Sequence, residues 1–159
     1  MKKIYLLSIS VLLLTACNSI PTYQNPAEVA YSIEGDIENQ SEVEAAIHVI
    51  EDNLNYATKE DMEGYLSTIV ASGREETQNE LAPVFETYDL EHTVLSAEVL
   101  EQEENRLLIR TEQQTVMLDA VEGAEPYRSH IAEANHELVK ENGDWKIKET
   151  IMTDTTFIN

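Results

Sequence analysis

The sequence predicts an α+β domain in which three helices precede a four-stranded antiparallel sheet. From residue 41 to residue 88, apolar residues recur at steps of three and four, which is the spacing of one helix face. After Asp89 the period changes to two, as in strands with one buried face. Asn142-Gly143 then separates two such runs, and this dipeptide is the strongest short hairpin signal. We expect the helices to pack in the concavity of a curved sheet.

The helical half contains three patterns. The first begins at Ser41 and carries a single apolar stripe. The second is short and follows Thr58, a capping residue type, with Asp61 three positions later. The third covers residues 74–88 and contains Pro83, which should kink or divide it. The stripe of the first helix consists of Val43, Ile47, Ile50, Leu54 and Ala57.

The strand half is predicted at residues 92–100, 106–118, 129–141 and 145–152, the second strand having a polar middle. With a two-residue Asn142-Gly143 loop, paired residue numbers sum to 285, so His136 faces Glu149 on the side of the sheet that also carries Trp145. Such a pair is either a general acid and base or a satisfied cross-strand pair at the open end of the sheet. A three-residue loop with a bulge would shift the sum to 284 and separate the two residues.

The N-terminus has the pattern of a bacterial lipoprotein signal. Lys2 and Lys3 precede an apolar stretch over residues 4–16, shorter than the roughly 20 residues of a membrane span. It ends in Leu14-Thr15-Ala16-Cys17, which resembles a lipobox. The resemblance implies cleavage before Cys17, the one cysteine of the chain, and lipid attachment there. The alternative is an ordinary signal peptide with an incidental cysteine.

The chain is therefore predicted to have three parts. Residues 1–16 are the signal peptide, residues 17–40 the lipidated cysteine and a flexible tether, and residues 41–159 the folded domain. The tether contains two prolines and a glycine and shows no apolar period, and as flexible chain it would span about 25 Å. We expect the protein on the outer face of the cell membrane, where more than one acyl chain anchors stably.

The charge balance excludes several classes of protein. The chain has 10 Lys+Arg against 31 Asp+Glu, a formal net charge of −21. Nucleic-acid binders need a basic face, so no nucleic-acid partner is expected. The acids are spread along the chain, which favours solubility or adaptation to salty or alkaline surroundings over recruitment of a basic partner. HExxH, multi-cysteine and EF-hand patterns are absent from the sequence, and no metal or cofactor is expected.

The order of elements, together with three local segments, resembles the nuclear transport factor 2-like superfamily over residues 41–157. The segments are residues 60–66, residues 85–90 and the closing hairpin, which has the form K-x-x-G-x-W-K-I. The resemblance implies a cone-shaped α+β barrel with a pocket between helices and sheet. Members of the superfamily include ketosteroid isomerases, polyketide cyclases and domains without known chemistry. No catalytic set of theirs aligns with this chain, so no catalytic residue is carried over.

Three functional hypotheses follow. The leading one is a non-catalytic binding domain for a small apolar molecule in the pocket or for an envelope protein. The alternative is a pocket enzyme of isomerase, cyclase or hydrolase type that uses His136 and Glu149 as an acid–base pair. The third is a structural domain that forms a homodimer through the outer sheet face. The predicted pocket-lining residues are Tyr65, Tyr88, Leu138, Trp145, Ile147 and Ile151.

Overall fold

The computed structural model describes residues 21–158. Helices α1 (Gln40–Thr58), α2 (Met62–Ser67) and α3 (Arg74–Phe85) occur where the apolar spacing predicts them, with short 3-10 turns at Pro26–Glu28 and Ala71–Gly73. Within the described residues, no helix is both long enough and apolar enough to cross a membrane. The predicted signal peptide and Cys17 lie outside the described residues.

Side-chain caps set the starts of the first two helices. Asn39 precedes α1 and its Oδ1 accepts a hydrogen bond from Glu42 N (3.4 Å), so this helix starts just before the predicted Ser41. Asp61 caps α2 by accepting from Gly64 N (2.9 Å). Thr58, the predicted cap of α2, is instead the last residue of α1.

Within residues 21–158 the sheet has five strands, one more than predicted. The four antiparallel strands lie at Tyr88–Glu103, Arg106–Ala120, His130–Glu141 and Asp144–Phe157 and are here numbered β2 to β5. A short strand β1 (Ile33–Gly35) runs parallel to β2 and completes the order β1-β2-β3-β4-β5. A strand of three residues is too short to display a period of two, so the sequence pattern gave no sign of it.

Residues 21–39 form a strap along the domain, within the segment predicted as a flexible tether. Two glutamine side chains hold its backbone. The amide of Gln114 accepts from Gln24 N and donates to Gln24 O (both 2.7 Å). Gln102 holds the other end, where its Oε1 accepts from Glu38 N (2.8 Å) and its Nε2 donates to Asn39 O (3.2 Å). The folded part therefore includes contacts upstream of residue 41.

The closing hairpin has the predicted turn. Asn142 (φ 57°) and Gly143 (φ 94°) both have positive φ, as a type I′ turn requires. Next to the turn, Leu138 faces Ile147 and the pairing follows the sum of 285. The two-residue loop is thus correct, and the first part of the predicted register holds.

The register changes beyond a β-bulge at Lys148. Past the bulge His136 faces Thr150, while Glu149 faces Glu137. The predicted pairing of His136 with Glu149 is therefore wrong. An extra residue in one strand shifts all later partners by one and moves each following side chain to the other face. Glu149 is exposed at this site.

The hydrophobic core fills one end of the concavity. The apolar stripe of α1 packs there against the inner face of the sheet, and the largest fully buried side chains include Ile50, Leu107, Ile109 and Leu138. Trp145 is 5% exposed, and its Nε1 donates to Glu42 on α1 (2.8 Å). The opposite end of the concavity contains a cavity.

Candidate functional site

A cavity of about 250 Å³ lies between the three helices and the concave face of the sheet. The helices give it an apolar wall, which includes Leu54, Leu81 and Phe85, while the sheet gives it a polar wall. The two walls have different origins. The helix side continues the apolar stripes, whereas the sheet side contains the polar middle of β3.

Strand register brings the polar side chains of the sheet together. His92 on β2 faces Thr115 on β3, and Thr115 faces His130 on β4. His136 lies six residues further along β4 and opposite Thr150 on β5. Because alternate residues of a strand share a face, His130 and His136 both lie on the concave side. Three of the four histidines of the chain thus line one cavity.

His136 is a fully hydrogen-bonded histidine. It is 3% exposed. Gln113 Nε2 lies 2.6 Å from His136 Nε2 and donates to it, so that nitrogen carries no proton and Nδ1 donates to Thr150 Oγ1 (2.9 Å). Thr111 Oγ1 also lies within 3.0 Å of Nε2. Burial lowers the pKa of His136 to about 4, so its ring is neutral at pH 7.

His92 and His130 differ from His136 in their partners. His92 Nδ1 lies 3.1 Å from Thr115 Oγ1, and burial together with the nearby His130 lowers the pKa of His92 to about 4. His130 Nδ1 donates to the backbone carbonyl of Arg128 (3.0 Å). That bond fixes the proton of the neutral ring on Nδ1 and leaves a lone pair on Nε2.

Aromatic rings surround the histidine side of the cavity. Tyr127 packs against Tyr88 (ring centroids 5.3 Å apart) and against His130 (5.9 Å). Tyr65 meets Phe85 edge to face at 6.3 Å. Such contacts hold flat side chains in fixed orientations. The cavity therefore offers ring faces together with a few hydrogen-bonding groups.

Among the residues that the structure describes, no acidic or strongly basic side chain lines the cavity. Its 17 lining residues include neither Asp, Glu, Lys nor Arg, although 26% of the chain is charged. Within residues 21–158, no group of three or more His, Cys, Asp or Glu side chains is placed to hold a metal ion. The arrangement suits binding of an uncharged molecule by shape and hydrogen bonds.

The predicted pocket residues are divided between two places. Tyr65 and Tyr88 line the cavity, as does His136. Leu138, Trp145 and Ile147 are instead part of the packed core, because the stripe of α1 fills that end of the concavity. Ile151 is 53% exposed, because the bulge at Lys148 turns it to the other face. These four residues are corrections to the predicted lining.

His92 and His130 were not singled out from the sequence as binding residues. A signal for them exists, because each falls on the inward parity of its strand, with Thr115 between them. To conclude from this parity that the two histidines are neighbours, the register between β2, β3 and β4 must be known. The long connection between β3 and β4 does not determine that register. The polar middle of β3 is the part of this wall that the sequence predicts.

Comparison with known proteins gives a family match and several fold matches. Residues 48–158 match the family model described as the C-terminal domain of the anti-sigma-I factor RsgI9. No curated protein matches the chain.

Solved structures similar to this one share its fold at low sequence identity. A protein of unknown function with a cystatin-like fold from Nostoc punctiforme is 16% identical, with a TM-score of 0.61, and the match covers 72% of this chain and 91% of that one. A ketosteroid isomerase-like protein from Erwinia carotovora atroseptica is 15% identical, with a TM-score of 0.59 and coverage of 76% and 99%. A member of the NTF2-like family from Streptomyces avermitilis is 12% identical, with a TM-score of 0.58 and coverage of 69% and 93%. The chain has an NTF2-like, cystatin-like α+β fold.

Proposed function

The chain belongs to the family of the C-terminal domain of the anti-sigma-I factor RsgI9, and from its cavity we propose that it is a non-catalytic domain that binds a small molecule. The observation that carries the proposal is the cavity itself, whose described lining residues are uncharged and combine apolar and aromatic side chains with a few hydrogen-bonding groups on the sheet. Apolar pockets with a few placed polar groups are the usual form of a small-molecule site. The family description, which names a regulatory factor, agrees with binding rather than turnover.

Binding is favoured over catalysis because the described lining residues include no carboxylate that could pair with a histidine. Efficient general acid–base groups have a pKa near the working pH. The pKa values of His92 and His136 are lowered to about 4, and Glu149 lies outside the cavity opposite Glu137. The enzyme hypothesis that pairs His136 with Glu149 therefore lacks its carboxylate.

The proposed site of action is the outer face of the cell membrane. The support is the lipobox at Leu14 to Cys17 together with the preceding apolar stretch. In this proposal the lipid on Cys17 holds the protein at the bilayer, and the domain samples small molecules outside the cytoplasm.

An envelope protein is the second candidate partner, and β5 is the observation that favours it. In the part of the chain that the structure describes, β5 ends the strand order and exposes Ile151, Met152 and Phe157, at 53%, 59% and 43%. Exposed edge strands are templates for pairing with another chain. The outer sheet face supports a homodimer less well, because it carries ion pairs such as Arg110 with Glu98 (3.3 Å) and Arg106 with Glu137 (2.9 Å).

Native mass spectrometry of the full chain tests the proposal. We expect an added mass of small-molecule size that is lost on mild activation. Ala57→Leu on α1 adds volume to the cavity lining and should reduce the adduct, whereas Ala45→Leu, at an exposed position of the same helix, should retain it. An adduct of protein size would favour the envelope partner, and an adduct unaffected by Ala57→Leu would contradict binding in the cavity.

A further inference from the structure

The lining of the cavity excludes charged ligands. An ion transferred from water into a site without a counter-ion loses several kcal/mol of solvation. The 17 lining residues supply no counter-ion, and the net charge of −21 adds general repulsion of anions. The molecule that fits this site is therefore uncharged.

The cavity volume limits the ligand to one or two rings. Sites for drug-sized ligands have volumes of roughly 300–1,000 Å³, and the cavity here holds about 250 Å³. Tyr65, Phe85, Tyr88 and Tyr127 present aromatic surface to that space. Flat rings of a ligand pack well against such surface in offset or edge-to-face contacts.

His130 is the lining histidine best placed to accept a hydrogen bond from a ligand. Its Nδ1–H is committed to Arg128 O, and its ring is held between Tyr127 (5.9 Å) and Phe157 (6.3 Å). Among residues 21–158, neither Nε2 of His130 nor Nε2 of His92 has a hydrogen-bond partner. His136 differs in this respect, because both of its nitrogens are bonded within the protein. The carbonyl of Arg128 can only accept, so it fixes Nε2 of His130 as an acceptor, whereas the Thr115 hydroxyl beside Nδ1 of His92 can donate or accept and fixes nothing.

We infer that the cavity takes an uncharged ring compound that donates a hydrogen bond to Nε2 of His130, and that His130 determines its specificity. The inference rests on the proposed small-molecule function and adds the chemical class of the ligand. A hydroxyl or an N–H group on the ring meets the requirement, whereas a carboxylate or an ether does not.

Three probes of matched shape test this inference on the full chain by titration followed with NMR at pH 7. They are p-cresol, p-xylene and p-toluate, which carry a hydroxyl, a methyl and a carboxylate on the same ring. We expect p-cresol to bind a few-fold to about tenfold more tightly than p-xylene, the range of one neutral hydrogen bond. We expect p-toluate to bind at least tenfold more weakly than p-cresol.

The variant His130→Phe keeps a ring at the position and removes the acceptor. It should reduce the preference for p-cresol over p-xylene to about one while p-xylene still binds, which also shows that the variant is folded. His48→Phe, on an exposed face of α1 outside the cavity, should retain the full preference. Equal binding of p-cresol and p-xylene to the unmodified chain, or a preference that survives His130→Phe, would overturn the inference alone. Binding of none of the three probes would overturn the proposed function as well.

Discussion

The three cavity histidines show how neighbouring residues determine what one residue type does. His136 is buried and uses both ring nitrogens within the protein, so its role is structural. His130 uses Nδ1 within the protein, and its Nε2 has no hydrogen-bond partner among residues 21–158. His92 lies across Thr115 from His130, and burial together with the nearby His130 lowers the pKa of His92 to about 4. Substitution of His136 is therefore expected to affect folding most, and substitution of His130 is expected to affect binding most.

The buried state of His136 predicts a stability that depends on pH. Its pKa is about 4 in the folded chain and about 6.5 when unfolded, so the unfolded state takes up the proton first as the pH falls. Its contribution is complete above pH 6.5 and is lost progressively between pH 6.5 and pH 4. In urea unfolding, the free energy should drop by about 2 kcal/mol less from pH 7 to pH 5 in His136→Asn than in the unmodified chain. The exposed His48→Asn is the control, and an equal drop in His136→Asn would contradict the neutral buried ring.

Trp145 is expected to be a major contributor to stability. Its indole is buried and donates a hydrogen bond to Glu42, while Lys140 Nζ lies 5.1 Å from the ring centroid. Trp145→Ala should cost about 3–5 kcal/mol in the free energy of unfolding, the usual range for a core aromatic. Trp145→Phe keeps most of the volume and should cost less. A loss below about 1 kcal/mol for Trp145→Ala would contradict the observed packing.

At the scale of elements, the sequence predicted the features that depend on a local hydrophobic pattern. It missed the features that depend on how strands pair. Helices and long strands repeat a period many times, so they were visible. The three-residue β1 repeats nothing, and the bulge at Lys148 leaves no mark in the hydrophobic alternation. That single inserted residue separated His136 from Glu149 and turned Ile151 outward. The cavity could thus be predicted as a location, whereas the side chains that line it depended on register.

The attachment of β1 depends on a glycine. Gly35 has φ +104°, and a Cβ there would lie 2.3 Å from the carbonyl oxygen of Val99. Gly123 also has positive φ (+86°), but a Cβ there would meet nothing within 4 Å. Gly123→Ala should cost about 1–2 kcal/mol through backbone strain alone. Gly35→Ala should cost more and should increase hydrogen exchange at residues 97–99, and equal costs with unchanged exchange would contradict the close approach.

At the scale of the whole molecule, the acidic residues and the cavity are separated in space. The surface carries the acidic excess, while the described residues that line the cavity include no Asp or Glu. The amino-acid composition predicted the acidic excess, because this property depends only on how many residues of each type are present. The absence of acids from that lining needed the fold, since only the fold decides which of the many polar residues point inward.

The predicted anchor is tested on the whole chain by changing its attachment residue. Cys17→Ser removes the thiol that would carry the lipid, so the variant should remain an uncleaved, unlipidated precursor. Metabolic labelling with a fatty acid and gel mobility would detect the difference. Asn18→Ser leaves Leu14 to Cys17 intact and should be processed normally. Labelling and processing of Cys17→Ser at the normal level would contradict the lipoprotein hypothesis.

The strap also determines how the molecule responds to tension on its N-terminal end. Among the described residues, a pull would reach the hydrogen bond from Tyr23 to Glu91 first, then the two bonds between Gln24 and Gln114, and then the pairing of β1, whose Ile33 packs against the core. Once released, residues 24–39 would reach about 50 Å when fully extended, at roughly 3.3 Å per residue. The strap would then detach before the rest of the domain, so the N-terminal segment would lengthen under load while the cavity stays folded.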